Sequence, residues 1–379
     1  MKFQVNKDVL SEAVSFVVRI LPQKVKNQIL GGILIEADAN ALRISVFDYE
    51  VSAQIETVAK VEDPGRILVS SRWLSEITSR LPNAPVEFET SGTKLYLRCG
   101  SSNFTIPTLD IDAYPTLPEL PPVSGSISGE AMADAVSQVA FAASKDDVSP
   151  WMTCVQIETT PKQISFVATD KYRIAVKEID WQSKATEDLS ALVPAKTLQE
   201  IAKTFANQTD VSVAIRSAGA DGKEHTQGMI AFKANNRSVT SYLVKDNFPP
   251  VRSYFPKEAS NYCVVASQDL IDATRRIALV LDNKPAAKYT FAADQVVLEA
   301  SDAAEASETM PAELSGKELE VKMKPQFVIE GVSAAKSEFV KIIFTNNDQP
   351  DRPGPVLISA HGQKDTQDSY RYLLQPNRF

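Results

Sequence analysis

Few side chains in this sequence are equipped for covalent or metal chemistry. There are two histidines, His225 in the polar stretch Gly222-Lys-Glu-His-Thr226 and His361 in Ala360-His-Gly-Gln363. Neither has a second histidine or a cysteine at ligand spacing, so the pattern for a metal centre or an activated nucleophile is missing. Three cysteines, Cys99, Cys154 and Cys263, include no Cys-x-x-Cys pair. That argues against a disulfide framework or a zinc site and for small buried hydrophobes in a reducing compartment. The carboxylates Asp146-Asp147 and Asp110–Asp112 sit in polar or proline-flanked loops, where they are solvated rather than poised as acid and base. No Gly-x-x-x-x-Gly-Lys-[Ser/Thr] or Gly-x-Gly-x-x-Gly loop is present to cradle a nucleotide. An acid–base pair assembled from distant positions stays open, so a hydrolase or lyase with its site at a domain junction remains one reading.

Cations offer a different chemistry. Arg72, Lys196 and Lys324 each stand three residues after a valine, in Val69-Ser-Ser-Arg-Trp-Leu-Ser-Glu-Ile77, Val193-Pro-Ala-Lys-Thr-Leu-Gln-Glu-Ile201 and Val321-Lys-Met-Lys-Pro-Gln-Phe-Val-Ile329. Each falls roughly opposite the apolar side of a short helix, with Arg80 and Lys203 on the same outer half. Taken singly each is ordinary solvated surface. Placed equivalently in three repeats, they would form one continuous face able to follow a phosphate backbone without reading bases. Arg275 and Arg276 also leave the apolar stripe of their helix, with Leu279 opposite it and Val280 to one side. These are either solvated arginines beside a tolerated leucine, or a polyanion contact beside a subunit contact.

The elements that must position these residues occur three times. Amphipathic helical stretches, Val5–Leu21, Ile127–Ala143 and Ala266–Asp282, each precede one of the short helical signals by about sixty residues. Their apolar stripes are Leu10, Ala13, Val14, Val17 and Leu21; Met132, Val136, Val139 and Ala143; and Leu270, Thr274, Ile277 and Leu281. Between them run alternating, β-branched segments: Leu30–Glu36, Ala41–Phe47, Val51–Ala59, Ile164–Ala168, Ile174–Glu178 and Val296–Ala300. Such alternation predicts antiparallel sheets with one covered face, hence an α+β class. Proline-rich connectors follow Tyr114-Pro115 and Phe248-Pro249 and place the domains at 1–122, 123–256 and 257–379. A triplicated chain points to a curved or closed assembly that works through a shared surface.

A chain of 379 residues with 44% hydrophobic and 23% charged residues is long enough for three self-sufficient cores. The formal net charge of −8 describes the sum and not its distribution, so an acidic exterior with a basic inner face remains possible. Neither a leader-length apolar run near Met1 nor a stretch of eighteen apolar residues occurs, which predicts a cytoplasmic protein that does not span a membrane.

At Ala168-Thr-Asp-Lys-Tyr-Arg-Ile-Ala-Val176 and Tyr372-Leu-Leu-Gln-Pro-Asn-Arg-Phe379 the chain resembles the bacterial sliding clamp family, the β subunit of the replicative DNA polymerase III. Ile29-Leu-Gly-Gly-Ile-Leu-Ile-Glu36, Phe47-Asp-Tyr-Glu-Val-Ser52, Leu192-Val-Pro-Ala-Lys196 and Phe248-Pro249 follow in family order, so the resemblance covers the whole chain. It implies three clamp-type domains, each with two helices packed on antiparallel sheets, and a head-to-tail homodimer closing a six-domain ring around duplex DNA. It implies a non-enzymatic processivity factor with no cofactor, metal or catalytic residue. The implied partners are double-stranded DNA, the replicative polymerase, an ATP-driven clamp loader and other clamp-motif repair proteins. Readings outside this remain a second, specialised clamp copy, and a monomeric scaffold that never encircles DNA.

By position, the resemblance implies a partner-peptide pocket of Met152, Thr169, Lys171, Tyr172, Arg173, Ile174, Pro249, Ser253, Tyr254, Leu373, Leu374, Gln375, Pro376, Asn377 and Arg378. The family usually has glycine at Lys171, methionine at Gln375, methionine or valine at Asn377 and asparagine at Lys324, so an altered peptide preference is expected here. Lys24 and Trp151 stand at or near DNA-facing family positions; Lys26, Arg72, Lys145, Lys196, Lys203, Arg275, Arg276 and Lys324 are assigned to DNA from facing alone. Phe104 and Ile106 should meet Leu279 and Val280 of a second subunit.

Overall fold

The computed structural model describes residues 1–21, 27–146, 149–218, 227–256, 260–282, 286–302, 304–345, 354–362 and 369–377. Among these lie six helices: α1 (Lys7–Ile20), α2 (Ser71–Thr78), α3 (Gly129–Val139), α4 (Ala195–Phe205), α5 (Ser267–Ala278) and α6 (Pro325–Ala335). The strands between them pair antiparallel, giving the α+β class that the period-2 alternation predicts. The helical stripes are core: Leu10, Val14, Val17, Met132, Val136, Leu270, Thr274 and Ile277 are buried. Asn6 starts α1 by accepting from the backbone N–H of Asp8 (2.8 Å) and Val9 (3.4 Å). Helix α5 ends at Ala278, earlier than its stripe, so Leu281 is half-buried rather than core.

The chain divides into two compact units. One comprises residues 1–133, 182–191 and 197–243, the other 134–181, 192–196 and 244–379. In the first, a fourteen-stranded sheet carries α1 packed against α2 and against the strands Ala41–Phe47 and Val51–Val58. Within it Arg237–Ser241 pairs antiparallel with Val51–Ile55, and the buried Ser52 and Thr240 hydroxyls meet at 2.7 Å. In the second unit, a nine-stranded sheet pairs Arg173–Lys177 with Tyr370–Leu374, while a four-stranded sheet lies under α5. Among the strand edges left open in the described residues are one in the first third and one in the last. Glu305–Pro311 ends the four-stranded sheet. Ser102–Leu109 pairs with Gly65–Ser70 only through Leu68–Leu109 and Val69–Thr108.

Helix α6 lies flush on the C-terminal strand because of Gly331. A Cβ there would come within 2.3 Å of the Tyr372 ring, and the Tyr370 hydroxyl donates to the Gly331 carbonyl at 2.9 Å. All three cysteines are buried and unpaired. Burial pushes the thiols of Cys154 and Cys263 up to about 11 and about 12, so both stay protonated and non-nucleophilic at neutral pH. Among the described residues no helix is long and apolar enough to cross a membrane, and no cluster of His, Cys, Asp or Glu could hold a metal ion.

Candidate functional site

A cavity of about 380 Å³ opens in the second unit where three stretches of chain converge. The first is the turn between the strands Gln163–Thr169 and Arg173–Asp180. Asp170 shapes it: one carboxylate oxygen accepts from the backbone N–H of Tyr172 (3.0 Å) and Arg173 (3.1 Å). Lys171 at its tip has φ +77°, a left-handed conformation that favours glycine, and its N–H donates to Thr169 Oγ1 at 3.2 Å. The second is the single-turn helix Val251–Tyr254; the third is the C-terminal strand, whose extension is tied down by Gln375 N–H donating to the Tyr172 carbonyl at 2.8 Å. Ile174, Val251 and Leu373 form an apolar floor continuous with Val167, Val176, Ile343 and Leu357.

Two arginines hold this shape. Arg173 lines the cavity, but its guanidinium is spent inward: Nε meets Asp170 at 2.9 Å, Nη1 meets Glu330 of α6, and Nη2 donates to the Phe141 carbonyl at 2.8 Å. Its carbon lies 4.3 Å from the centre of the Phe327 ring and 5.3 Å from that of Phe141. Burial opposes its charge, but Tyr372, Glu330 and Asp170 outweigh that and leave proton affinity raised. Arg252 anchors the Val251–Tyr254 turn to the sheet through Glu158 (3.0 Å), Glu178 (2.6 Å) and Ser165.

Of the residues proposed for the pocket, Thr169, Lys171, Tyr172, Arg173, Ile174, Pro249, Tyr254, Leu373 and Gln375 line the cavity. Met152, Leu374 and Pro376 do not line it and are buried; Leu374 alternates with Leu373 to the other side of its strand. Ser253 is exposed on the turn, donating to the Pro250 carbonyl at 3.0 Å. Asn377 bridges to Lys322 instead of reaching the cavity, its N–H donating to the Lys322 carbonyl at 2.8 Å. Arg378 lies outside the described residues. Val251 and Pro355 line the cavity and were not foreseen. Val251 could have been found from the apolar slot between Pro249 and Ser253; nothing in the sequence marks Pro355.

The cations divide. Lys24 and Lys26 lie outside the described residues. Arg72 and Lys196 occupy the second position of α2 and α4 and are exposed, as is Lys145. Arg72, Lys203 and Arg275 have nearby carboxylates on their own helices: Glu76 at 3.4 Å, Glu200 at 2.8 Å and Asp272 at 3.2 Å. Such exposed pairs are weak and leave the charges available to a phosphate. Arg276 is held more firmly, with Nε 2.9 Å from Glu308 and a second contact from Nη2. Lys324 departs from the expected facing. Pro325 lacks an N–H and opens α6, so Lys324 becomes the residue before the helix. Its ammonium lies 5.0 Å from the centre of the Tyr172 ring and 5.1 Å from that of Phe327. Trp151, also assigned to DNA, lines the pocket with its ring edge-on to Phe248 at 5.9 Å.

Of the proposed subunit contacts, Leu279 is 82% and Phe104 37% exposed, and Val280 is half-buried. Ile106, two residues on from Phe104, is 3% exposed and buried within the single chain. The first unit has a second concavity of about 750 Å³, lined in part by Val18, Leu21, Arg72, Trp73, Pro107 and Leu109.

Family models of the DNA polymerase III beta subunit match the chain in three segments: the N-terminal domain over residues 1–118, the central domain over 126–250 and the C-terminal domain over 252–368. The chain is 37% identical over 384 residues to the beta sliding clamp of Streptomyces coelicolor, covering 100% of this chain and 99% of that one. It is 40% identical over 317 residues to the beta sliding clamp of Micrococcus luteus, covering 83% of this chain and 100% of the relative. The crystal structure of the DNA polymerase sliding clamp from Bacillus subtilis superposes with a TM-score of 0.90 at 23% identity, covering 100% of this chain and 99% of that one. At that identity the likeness is one of fold alone.

Proposed function

This chain belongs to the DNA polymerase III beta subunit family, and from that premise we propose that it is a DNA sliding clamp, a non-catalytic processivity factor of the cytoplasm. Three clamp domains at 1–122, 123–256 and 257–379 repeat one unit, and two copies close head to tail into a six-domain ring around duplex DNA. The observation that carries this reading is how the thirds join. Arg237–Ser241 of the middle third pairs with Val51–Ile55 of the first, and Tyr370–Leu374 of the last pairs with Arg173–Lys177 of the middle. By the same rule Ser102–Leu109 of the first third and Glu305–Pro311 of the last would be joined, yet each keeps an open edge. A second copy supplies the missing partner twice over, which closes both edges. The exposed Phe104 and Leu279 would then cover one another across the seam.

A closed ring cannot leave DNA sideways, so it needs only weak contacts to phosphate. Arg72, Lys145, Lys196, Lys203 and Arg275 are exposed cations suited to that, and tight base readout would hinder sliding. With no nucleotide cradle of its own, the ring depends on an ATP-driven loader. The cavity between the 170–172 turn and the C-terminal strand takes peptide segments of the replicative polymerase and of repair proteins, the apolar floor receiving their apolar side chains. The test is retention on circular DNA after loader-assisted assembly, followed by cutting the circle. Release on linearisation at moderate salt is the expected result. Equal retention on both forms with a steep salt dependence would leave an ordinary electrostatic binder or a monomeric scaffold.

A further inference from the structure

We propose that the turn at residues 47–51 is a second docking surface, an aromatic ledge that takes a basic segment of a partner protein, an arginine or lysine flanked by apolar residues. The proposal does not depend on what the cavity at the 170–172 turn binds. It starts from a repeat of backbone geometry. Asp48 accepts from the backbone N–H of Glu50 (2.9 Å) and Val51 (2.8 Å), as Asp170 does from Tyr172 and Arg173. Tyr49 at the tip has φ +74°, matching φ +77° at Lys171. The neighbouring strand closes both turns alike. Tyr242 N–H donates to the Glu50 carbonyl at 2.8 Å, and Gln375 N–H to the Tyr172 carbonyl at 2.8 Å. The repeat has built one turn twice.

The side chains on it are exchanged. Where Ile174 stands across from Leu373 in the cavity floor, Ser52 stands across from Thr240. The buried hydroxyls of Ser52 and Thr240 meet at 2.7 Å, so the floor here is polar and an occupant must bind above it. The surface it would meet is aromatic. The Tyr49 ring is 59% exposed and lies tilted against Phe47 with ring centres 5.7 Å apart. Phe47 in turn meets the half-buried Tyr242 at 6.3 Å. A bulky aromatic kept in a left-handed conformation, and kept in water, points to use of its ring.

Charge decides the occupant. Asp170 is neutralised by Arg173, but Val51 stands at the matching place after Asp48. Asp48 spends one oxygen on backbone N–H groups, and neither it nor Glu50 has an ion-pair partner among the described residues. The stretches 47–52 and 239–243 contain no lysine or arginine. An exposed ring with an uncompensated acid before and after it in the chain suits a guanidinium or ammonium laid on the ring face, with a carboxylate to accept its N–H groups. The same charges repel a phosphate backbone, which favours a protein segment over nucleic acid.

The experiment is fluorine NMR of the full chain with fluorotyrosine in place of tyrosine, the Tyr49 signal being assigned from Tyr49→Phe. The peptide Gly-Ser-Leu-Arg-Leu-Ser-Gly should shift that signal and bind about three- to tenfold tighter than its Gln counterpart, the range for an exposed charge pair. Asp48→Asn, which keeps the oxygen that the turn needs, combined with Glu50→Gln should close the gap, as should high salt. Saturating Gln-x-x-Leu-Phe peptide should leave the shift in place. Equal response to the Arg and Gln peptides, a gap that survives the double substitution, or no response of the Tyr49 signal overturns the proposal. So does displacement by Gln-x-x-Leu-Phe, which would assign the binding to the 170–172 cavity. A Tyr49 shift produced by duplex DNA and not by the Arg peptide would assign the ledge to nucleic acid and overturn it as well.

Discussion

Arg173 on the pocket wall and Glu330 on α6 form an ion pair behind the cavity, which locks the strand that carries Ile174 to the helix that supports the C-terminal strand. Arg173 is 6% exposed at its side chain, so the pair is largely withdrawn from water. Removing one partner of such a pair leaves a buried charge short of compensation. Asp170 and the Phe141 carbonyl remain bound to Arg173, which limits the loss. Glu330→Ala is predicted to destabilise the chain by about 2 kcal/mol and to weaken peptide binding without touching the cavity directly. Urea unfolding monitored alongside peptide titration checks this; an unchanged midpoint would show that the pair contributes nothing net.

The Lys171 backbone gives a second prediction. Left-handed geometry costs a residue with a Cβ about 1 kcal/mol, and glycine's extra freedom in the unfolded chain offsets most of the relief. Lys171→Gly should therefore leave the melting temperature nearly unchanged. Lys171→Val, with a branched Cβ in the same conformation, should lose about 1–2 kcal/mol. Thermal melts of the two variants side by side decide the matter. Equal stabilities would mean that the turn relaxes out of the φ +77° conformation.

Subunit association should depend on residues that the isolated chain leaves exposed. Leu279→Asp removes apolar cover at the proposed seam, twice per ring by symmetry. About 2 kcal/mol per leucine places the dissociation constant at least about a hundredfold higher. Because Leu279 is 82% exposed in the single chain, the fold itself should be unaffected. Analytical ultracentrifugation over a concentration series separates the two effects, and a dimer of undiminished affinity would remove Leu279 from the interface.

Alkaline stability follows from Tyr114. Its hydroxyl accepts from the Phe47 N–H at 2.7 Å and donates to the Gly32 carbonyl at 3.5 Å. Burial, with the Asp48 charge adding to it and the Phe47 hydrogen bond opposing it, pushes its pKa from 10.0 up to about 12. A raised folded pKa stabilises fully below the unfolded value and loses that contribution as pH rises through the folded one. Tyr114 should thus withdraw about 2 kcal/mol between pH 10 and pH 12. Tyr114→Phe should flatten that part of the stability-against-pH curve while costing about 1 kcal/mol at neutral pH for the lost hydrogen bond. Denaturant midpoints at three pH values measure both.

Local periodicity was enough to locate the helices and some of the strands. Leu10, Val14 and Val17 recur at helical spacing because one face of α1 must be dry, and Ala41–Phe47 alternates because one face of its sheet is covered. The threefold repeat also follows from residue order and type, whereas the grouping of Thr169–Ile174 with Leu373 was implied only by the family resemblance. Which neighbours fill the cavity was a tertiary decision. Its lining comes from 151, 169–174, 249–254, 355 and 373–375, stretches joined only by strand pairing and the packing of Gly331 against Tyr372. That is why Pro355 was invisible, why Leu374 turned away from the cavity, and why Ile106 became core. Lys324 makes the same point about charge. Counting from Val321 placed it with Arg72 and Lys196, but Pro325 ends that equivalence by starting the helix two residues later than in the other repeats. A cation's partner depends on where its flexible stem can reach, and two aromatic rings from distant parts of the chain settled it.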